Sequence, residues 1–177
     1  PVYLSGFSLG ANAALKCLGE LGEAEATRLN VRGAAVVCAP LDQERNSHQL
    51  ATQKLYSERL LQSLQSKAKE QLELHCDNDV NTNRFDYARC LAATNITAFD
   101  DAFIAPIYGF EGAMDYYRQT SSIYFLPRIT VPTLIINAAD DPFFDNDIWP
   151  TDLCVANGGS SPVKMVRYPH GGHLGFA

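Results

Sequence analysis

At 177 residues, 46% hydrophobic and 19% charged, the chain can build one sizeable core and has an ordinary globular composition. Fourteen Lys and Arg against twenty Asp and Glu leave a formal net charge of −6 with no basic run, which argues against a nucleic-acid partner. No stretch of these 177 residues reaches the ~18 uninterrupted apolar residues of a membrane span, and none has the pattern of a signal peptide.

The chain opens on Pro1, rather than Met, and enters a β-prone run at once, Val2-Tyr3-Leu4. A glycine–serine turn follows, Gly6-Phe7-Ser8-Leu9-Gly10. From Leu9 to about Leu18 the residues Leu9, Ala13, Ala14, Cys17 and Leu18 fall at helical spacing, so the unit is strand, tight turn, helix. Val31 to Cys38 (VRGAAVVC) is a second, almost wholly apolar strand that Pro40 ends. Thr133 to Asn137 (TLIIN) and Val163 to Tyr168 (VKMVRY) are two more. Continuously apolar strands separated by helical or loop segments predict an α/β class with a parallel sheet.

Between the second and third strands about ninety residues carry no convincing strand. The pattern predicts one long helix over Leu50 to Leu74, with Leu50, Leu61, Leu64, Ala68 and Leu72 on a shared face and a polar stop at Asp77-Asn78-Asp79. Shorter helices are predicted around Arg84–Ala93, Ile96–Phe103 and Gly112–Gln119. A helical insertion of this kind, approximately residues 42–128, is read as a cap over the strand ends; crossover helices packed on the sheet are the plainer reading.

Chemistry collects at the strand ends. A random chain of this size shows G-x-S-x-G in roughly one case in twenty, so context must decide. Strand–turn–helix is the context of a nucleophile elbow, in which Gly6 and Gly10 give clearance to a strained Ser8. The turn lifts the hydroxyl above the sheet and offers the Leu9 backbone N–H, beside the positive end of the helix, to a substrate oxyanion. A serine needs a base, and the base an orienting carboxylate. After TLIIN comes Ala138-Ala139-Asp140-Asp141-Pro142; after VKMVRY comes Pro169-His170-Gly171-Gly172-His173. Asp141 is favoured over Asp140 because the following proline holds it extended beyond the strand. His173 is favoured over His170 because two glycines permit a loop that turns back toward Ser8. A metal reading, with His170, His173, Asp140, Asp141, Asp145 and Asp147 as ligands, matches no calcium-loop spacing and rests on an isolated HxxH. No metal or cofactor is expected.

The segments GFSLGAN with LKCLGE, TAFDDAFIAPIYGFEGAMDYYRQTSS, ITVPTLIINAADDPFF and HGGHLGF resemble the α/β-hydrolase superfamily. Within it they are similar to the AB-hydrolase 4 family of YheT-like proteins, whose specific mark is the middle segment. The resemblance implies Ser8, Asp141 and His173 as the triad. It also implies carboxylic esters of fatty acids as substrates, by way of an acyl-serine. Acyl transfer to an alcohol by the same acyl-enzyme, making medium-chain esters, is the enzymatic alternative; a non-catalytic hydrolase-like binding protein is the other. Ala11 departs from the glycine that many relatives carry after the elbow.

The family's layout also implies earlier strands, a second oxyanion donor and a final helix beyond this chain, which is read as the C-terminal part of the fold. Expressed alone it is expected to be inactive and poorly soluble. Five widely spaced cysteines (Cys17, Cys38, Cys76, Cys90, Cys154), odd in number and without CxxC, favour free thiols and a reducing compartment. The sequon Asn95-Ile96-Thr97 leans the other way. The expected partners are small-molecule or lipid esters, and the expected location is intracellular or membrane-associated. Phe103, Tyr108, Phe110, Tyr116 and Tyr117 are read either as an acyl-pocket lining or, more simply, as core.

Overall fold

A computed structural model describes residues 1–75, 85–145, 147–150, 152 and 162–176, with backbone alone at 74 and 75. Cys76, Cys154, Arg84 and the expected helix stop Asp77-Asn78-Asp79 lie outside the described residues. The chain divides into two compact units, one formed by Pro1–Asn46 with Thr120–Ala177 and the other by Ser47–Gln119.

The first unit is built on four parallel strands in the order of the chain: β1 (Val2–Phe7), β2 (Val31–Val37), β3 (Thr133–Ala138) and β4 (Val163–Tyr168). Every expected strand is present, because β-branched and apolar runs bounded by Pro, Gly and Asn have few other uses in a chain of this kind. β3 lies between two neighbours and is the most buried; β1, an outer strand of the described sheet, is largely exposed. Leu15, Leu18, Val36, Leu41, Leu126, Ile129 and Ile135 form the centre of the core.

Helix α1 runs from Leu9 to Arg28, ten residues further than the periodicity suggests. Gly22, at φ +64°, interrupts it with a kink, and this break in the pattern hides the continuation from the sequence. Gly19 lets α1 lie against Phe125: a Cβ there would come within 2.6 Å of Phe125's backbone carbonyl. Beside it the buried Asn12 reaches out of the helix, its amide donating to Thr120 O (2.9 Å) and its oxygen accepting from Ser122 N–H (2.8 Å). The inserted segment leaves and re-enters this unit at one place. There Gln43 N–H donates to Ser121 Oγ, Gln43 Nε2 to Thr120 Oγ1, and Ile123 N–H to Leu41 O.

The expected helix over Leu50–Leu74 is in fact two, α2 (Gln43–Thr52) and α3 (Lys54–His75). The break falls at Gln53, whose N–H bonds back only three residues to Leu50 O, while the Thr52 hydroxyl donates to Gln49 O. A threonine that back-bonds in this way competes with the helix ladder. Then come α4 (Tyr87–Ala92), α5 (Ile96–Ala102), α6 (Ile104–Tyr108) and α7 (Ala113–Thr120). Asp86 and Asn95 supply the N-caps of α4 and α5, accepting from Arg89 N–H and Ala98 N–H. α6 was not anticipated, since five residues are too few to show a period. The second unit has its own core of Leu61, Ala68, Cys90, Phe99 and Ala102, with Leu64 and Phe103 packed on it. Gln65 Nε2 donates to carbonyls of Cys90, Leu91 and Ala93 at the end of α4, where Cys90 O also accepts from Ala93 N–H (3.4 Å).

Candidate active site

Four parallel strands end on the same side of a sheet, and ligands of open α/β sheets gather there. The residue after β1 is Ser8, with φ +51° and ψ −127°, a conformation that costs a non-glycine residue of the order of 1–3 kcal/mol. The fold holds it there by backbone bonds: Ser8 N–H donates to Val37 O (3.0 Å), and Ser8 O accepts from Ala11 N–H (2.9 Å) at the start of α1. Its hydroxyl caps no helix N–H. The turn is tight enough that a Cβ on Gly6 would stand 2.5 Å from Gly10 O and 2.8 Å from Ala11 Cα. The clearance anticipated at both glycines is required at Gly6 alone, since a Cβ on Gly10 would meet nothing within 4 Å. Leu9 is the first residue of α1, so its N–H is among those that a helix leaves without an internal partner.

Asp141 lies three residues beyond β3 and is almost wholly buried. Its Oδ1 accepts from Phe143 N–H (2.9 Å), a turn that holds the carboxylate, and its Oδ2 lies 2.8 Å from His173 Nδ1. His173 Nε2 in turn lies 2.9 Å from Ser8 Oγ. A carboxylate only accepts, so the neutral ring donates from Nδ1 and presents Nε2 as an acceptor to the Ser8 hydroxyl. Phe143 and Phe144 flank the ring, with centroids 4.3 and 5.6 Å away. The loop that delivers His173 depends on its glycines. Gly172 adopts φ +51°, and a Cβ on Gly171 would collide with the Phe176 ring at 2.5 Å.

The alternatives fall in different places. Asp140 accepts from Gly172 N–H (2.7 Å), and this bond holds its carboxyl below the ordinary carboxylate range. Its other oxygen is 3.5 Å from Nδ1 of the exposed His170. The two therefore brace the loop beside Asp141 and His173. Asp145 pairs with Arg45 at 2.6 Å and accepts from Asp147 N–H. The six-residue metal set drawn from the sequence is not gathered. Among the described residues the only trio with metal-ligand spacing is Cys38, Asp141 and His173.

The sequence offers Cys38 only as the last residue of the expected second strand and as one of five thiols, with no part in the site. It is the first residue after β2, at φ +52°, fully buried, and burial pushes its thiol up to about 11, with the Asp141 carboxylate adding to the rise. The thiol donates to Gly172 O at 3.8 Å. Asn137, at the end of β3, holds the adjoining backbone by donating to Ala39 O (3.1 Å) and accepting from Ala39 N–H (3.0 Å). The signal for both was their place at the carboxyl end of a parallel strand.

The aromatic residues divide. Phe103 packs with Phe99 and Phe85, and the buried Tyr117 donates to Asp100 Oδ2 at 2.6 Å, whereas Tyr108 is exposed. Phe110 and Tyr116 lie against each other, 5.3 Å between ring centroids. Among the described residues no helix is long and apolar enough to cross a membrane.

The alpha/beta hydrolase fold family matches residues 1–177. YheT of Escherichia coli (strain K12), a candidate esterase by its name, is 36% identical over 99% of this chain and 49% of its own length. Monoacylglycerol lipase ABHD2 of Homo sapiens is 28% identical over 97% of this chain and 41% of its own. The chain thus spans about half, or less, of the length of the curated relatives it matches. Among solved structures, Candida antarctica lipase A superposes with a TM-score of 0.54 at 17% identity, over 98% of this chain and 44% of that one. A parallel sheet with a strained serine between β1 and α1, and this match along its whole length, make the chain a member of the alpha/beta hydrolase fold family, similar in sequence to its YheT-like proteins.

Proposed function

We propose that the protein is a serine hydrolase of carboxylic esters of fatty acids, acting through an acyl-Ser8 intermediate. The observation that carries this reading is the continuous series Asp141 Oδ2–His173 Nδ1 (2.8 Å) and His173 Nε2–Ser8 Oγ (2.9 Å). Ser8 Oγ attacks the acyl carbonyl as His173 Nε2 takes its proton. The Leu9 N–H donates to the oxyanion that forms, and Asp141 stabilises the imidazolium. His173 then protonates the departing alkoxide, leaving an ester on Ser8. A water molecule, deprotonated by the same nitrogen, releases the fatty acid and restores the serine. The esterase and monoacylglycerol lipase names of the relatives support ester hydrolysis, with monoacylglycerols the first substrates to try. The helices inserted between β2 and β3 are assigned to acyl-chain binding as a cap, supported by their separate apolar core and by the strand end from which they depart.

The test is labelling with a fluorophosphonate, together with hydrolysis of monoacylglycerols and of a nitrophenyl ester series of increasing chain length. The full-length protein should label, and Ser8→Ala in it should abolish labelling. The same substitution should lower kcat by about 10⁴- to 10⁶-fold with an unchanged circular dichroism spectrum. Labelling that survives in Ser8→Ala overturns the proposal.

A further inference from the structure

The donor atoms of Cys38, Asp141 and His173 all lie within 4.8 Å of one another, and nothing in the hydrolytic cycle uses the thiol. We propose that these three residues form a binding site for a thiophilic divalent cation, of the Zn²⁺ and Cd²⁺ class, whose occupation switches the Ser8 centre off. The binding itself is independent of the esterase reading; the switching rests on it.

Thiolate, imidazole and carboxylate are the donors of zinc, and the sulfur selects it over Mg²⁺ and Ca²⁺. Tetrahedral zinc with bonds of ~2.0–2.3 Å keeps its donors about 3.4–3.6 Å apart. The 2.8 Å between Asp141 Oδ2 and His173 Nδ1 must therefore open by roughly 0.6 Å, and the widest pair, within 4.8 Å, must close by up to about 1.2 Å. The fourth position falls to water or to Gly172 O, which is already 3.8 Å from Cys38 Sγ. Charge favours the exchange. Cys38 and Asp141 are buried to within 1% of full enclosure. A divalent cation with one thiolate, one carboxylate and a neutral imidazole sums to zero, so no net charge is left in the interior.

The proton balance makes the site a switch. Binding expels the Cys38 thiol proton to solvent. The His173 proton leaves Nδ1, whose lone pair now holds the metal, and one returns to Nε2, so one proton is released per ion. With Nε2 protonated, the ring can only donate to Ser8 Oγ, and the serine has lost its base.

The experiment titrates the metal-free full-length protein with Co²⁺ and Zn²⁺ and follows fluorophosphonate labelling at each step. The expected result is 1:1 binding with a thiolate-to-cobalt charge-transfer band in the near ultraviolet. Labelling of Ser8 should fall as zinc binds and return with a chelator. Cys38→Ser should lose the band and retain labelling in zinc. It should weaken binding by more than the ~10- to 100-fold that loss of even an outer-shell partner costs. Single Ser replacements of Cys17, Cys76, Cys90 and Cys154 should leave the band intact. Should Cys38→Ser not fold, the ¹¹³Cd resonance of the cadmium-loaded wild type decides, since its shift reports whether one sulfur is bound. Absence of the band, its persistence in Cys38→Ser, a sulfur-free cadmium signal, or full labelling of the zinc-loaded protein overturns the proposal. Normal metal binding in a protein that never labels leaves the site standing and sinks the esterase reading instead.

Discussion

Two adjacent aspartates show how much can turn on one residue. Asp141 and Asp140 are consecutive and lie within three residues of the end of β3, yet one is buried against His173 and the other accepts from Gly172 N–H at the surface. Asp141→Asn keeps the shape but turns an acceptor of the Nδ1 proton into a group that favours the wrong tautomer. Turnover is expected to fall by about 10⁴-fold, with labelling slowed in parallel. Asp140→Asn removes only a brace of the loop, and its loss in the same assay should be far smaller. Equal losses in the two variants would contradict these assignments. The following proline favours Asp141 in the sequence, and in the structure Asp141 closes a turn onto Phe143 N–H that the residue before a proline can adopt.

At the scale of elements, the strand–turn–helix around Ser8 makes opposite predictions for its two glycines. Gly6→Ala drives a methyl group into the backbone of Gly10 and Ala11, with no flexible side chain to yield. Overpacking of rigid sites costs ~1–3 kcal/mol and at times more; the urea midpoint should fall accordingly, together with labelling. Gly10→Ala has open space and gains helix propensity of up to about 1 kcal/mol, so its midpoint should hold or rise. In the helical unit, burial pushes Asp100 up from 3.8 to about 6, partly opposed by the hydrogen bond from Tyr117. The folded state therefore binds this proton more tightly than the unfolded chain. Near pH 4 the group costs little, and stability is lost as pH rises through the window from 3.8 to about 6, reaching about 3 kcal/mol by pH 7. Asp100→Asn keeps an acceptor for Tyr117 without the charge. Its stability relative to wild type should climb between pH 4 and pH 7, and a difference independent of pH would refute the assignment.

Across the whole molecule, the unevenness lies in the sheet. Among the described residues β1 pairs only with β2, and Tyr3, 70% exposed, and Phe7, 57% exposed, stand on it beside half-exposed Val2. An apolar strand edge is a template for pairing with another chain. The 177-residue chain is expected to self-associate as its concentration rises, read by light scattering, and Tyr3→Lys should lower the association without altering circular dichroism. A strictly monomeric wild type at high concentration would count against this.

Sequence alone determined the four strands and their α/β class and singled out Ser8, Asp141 and His173 as candidates, because continuous apolar runs and strand-end punctuation are local properties of a chain. Helix lengths were legible only until a local competitor intervened, at Gly22 in α1 and at Gln53 between α2 and α3. Tertiary structure decided what no spacing encodes. Cys38 and Asp141 stand about a hundred residues apart, in turns after different strands, and they come together only because β2 and β3 pair in register. The GFSLG turn is likewise a local pattern, but the 2.9 Å from Ser8 Oγ to His173 Nε2 spans 165 residues of chain. Four parallel strands bring such distances about by ending side by side, and there the chain's separate loops become one site.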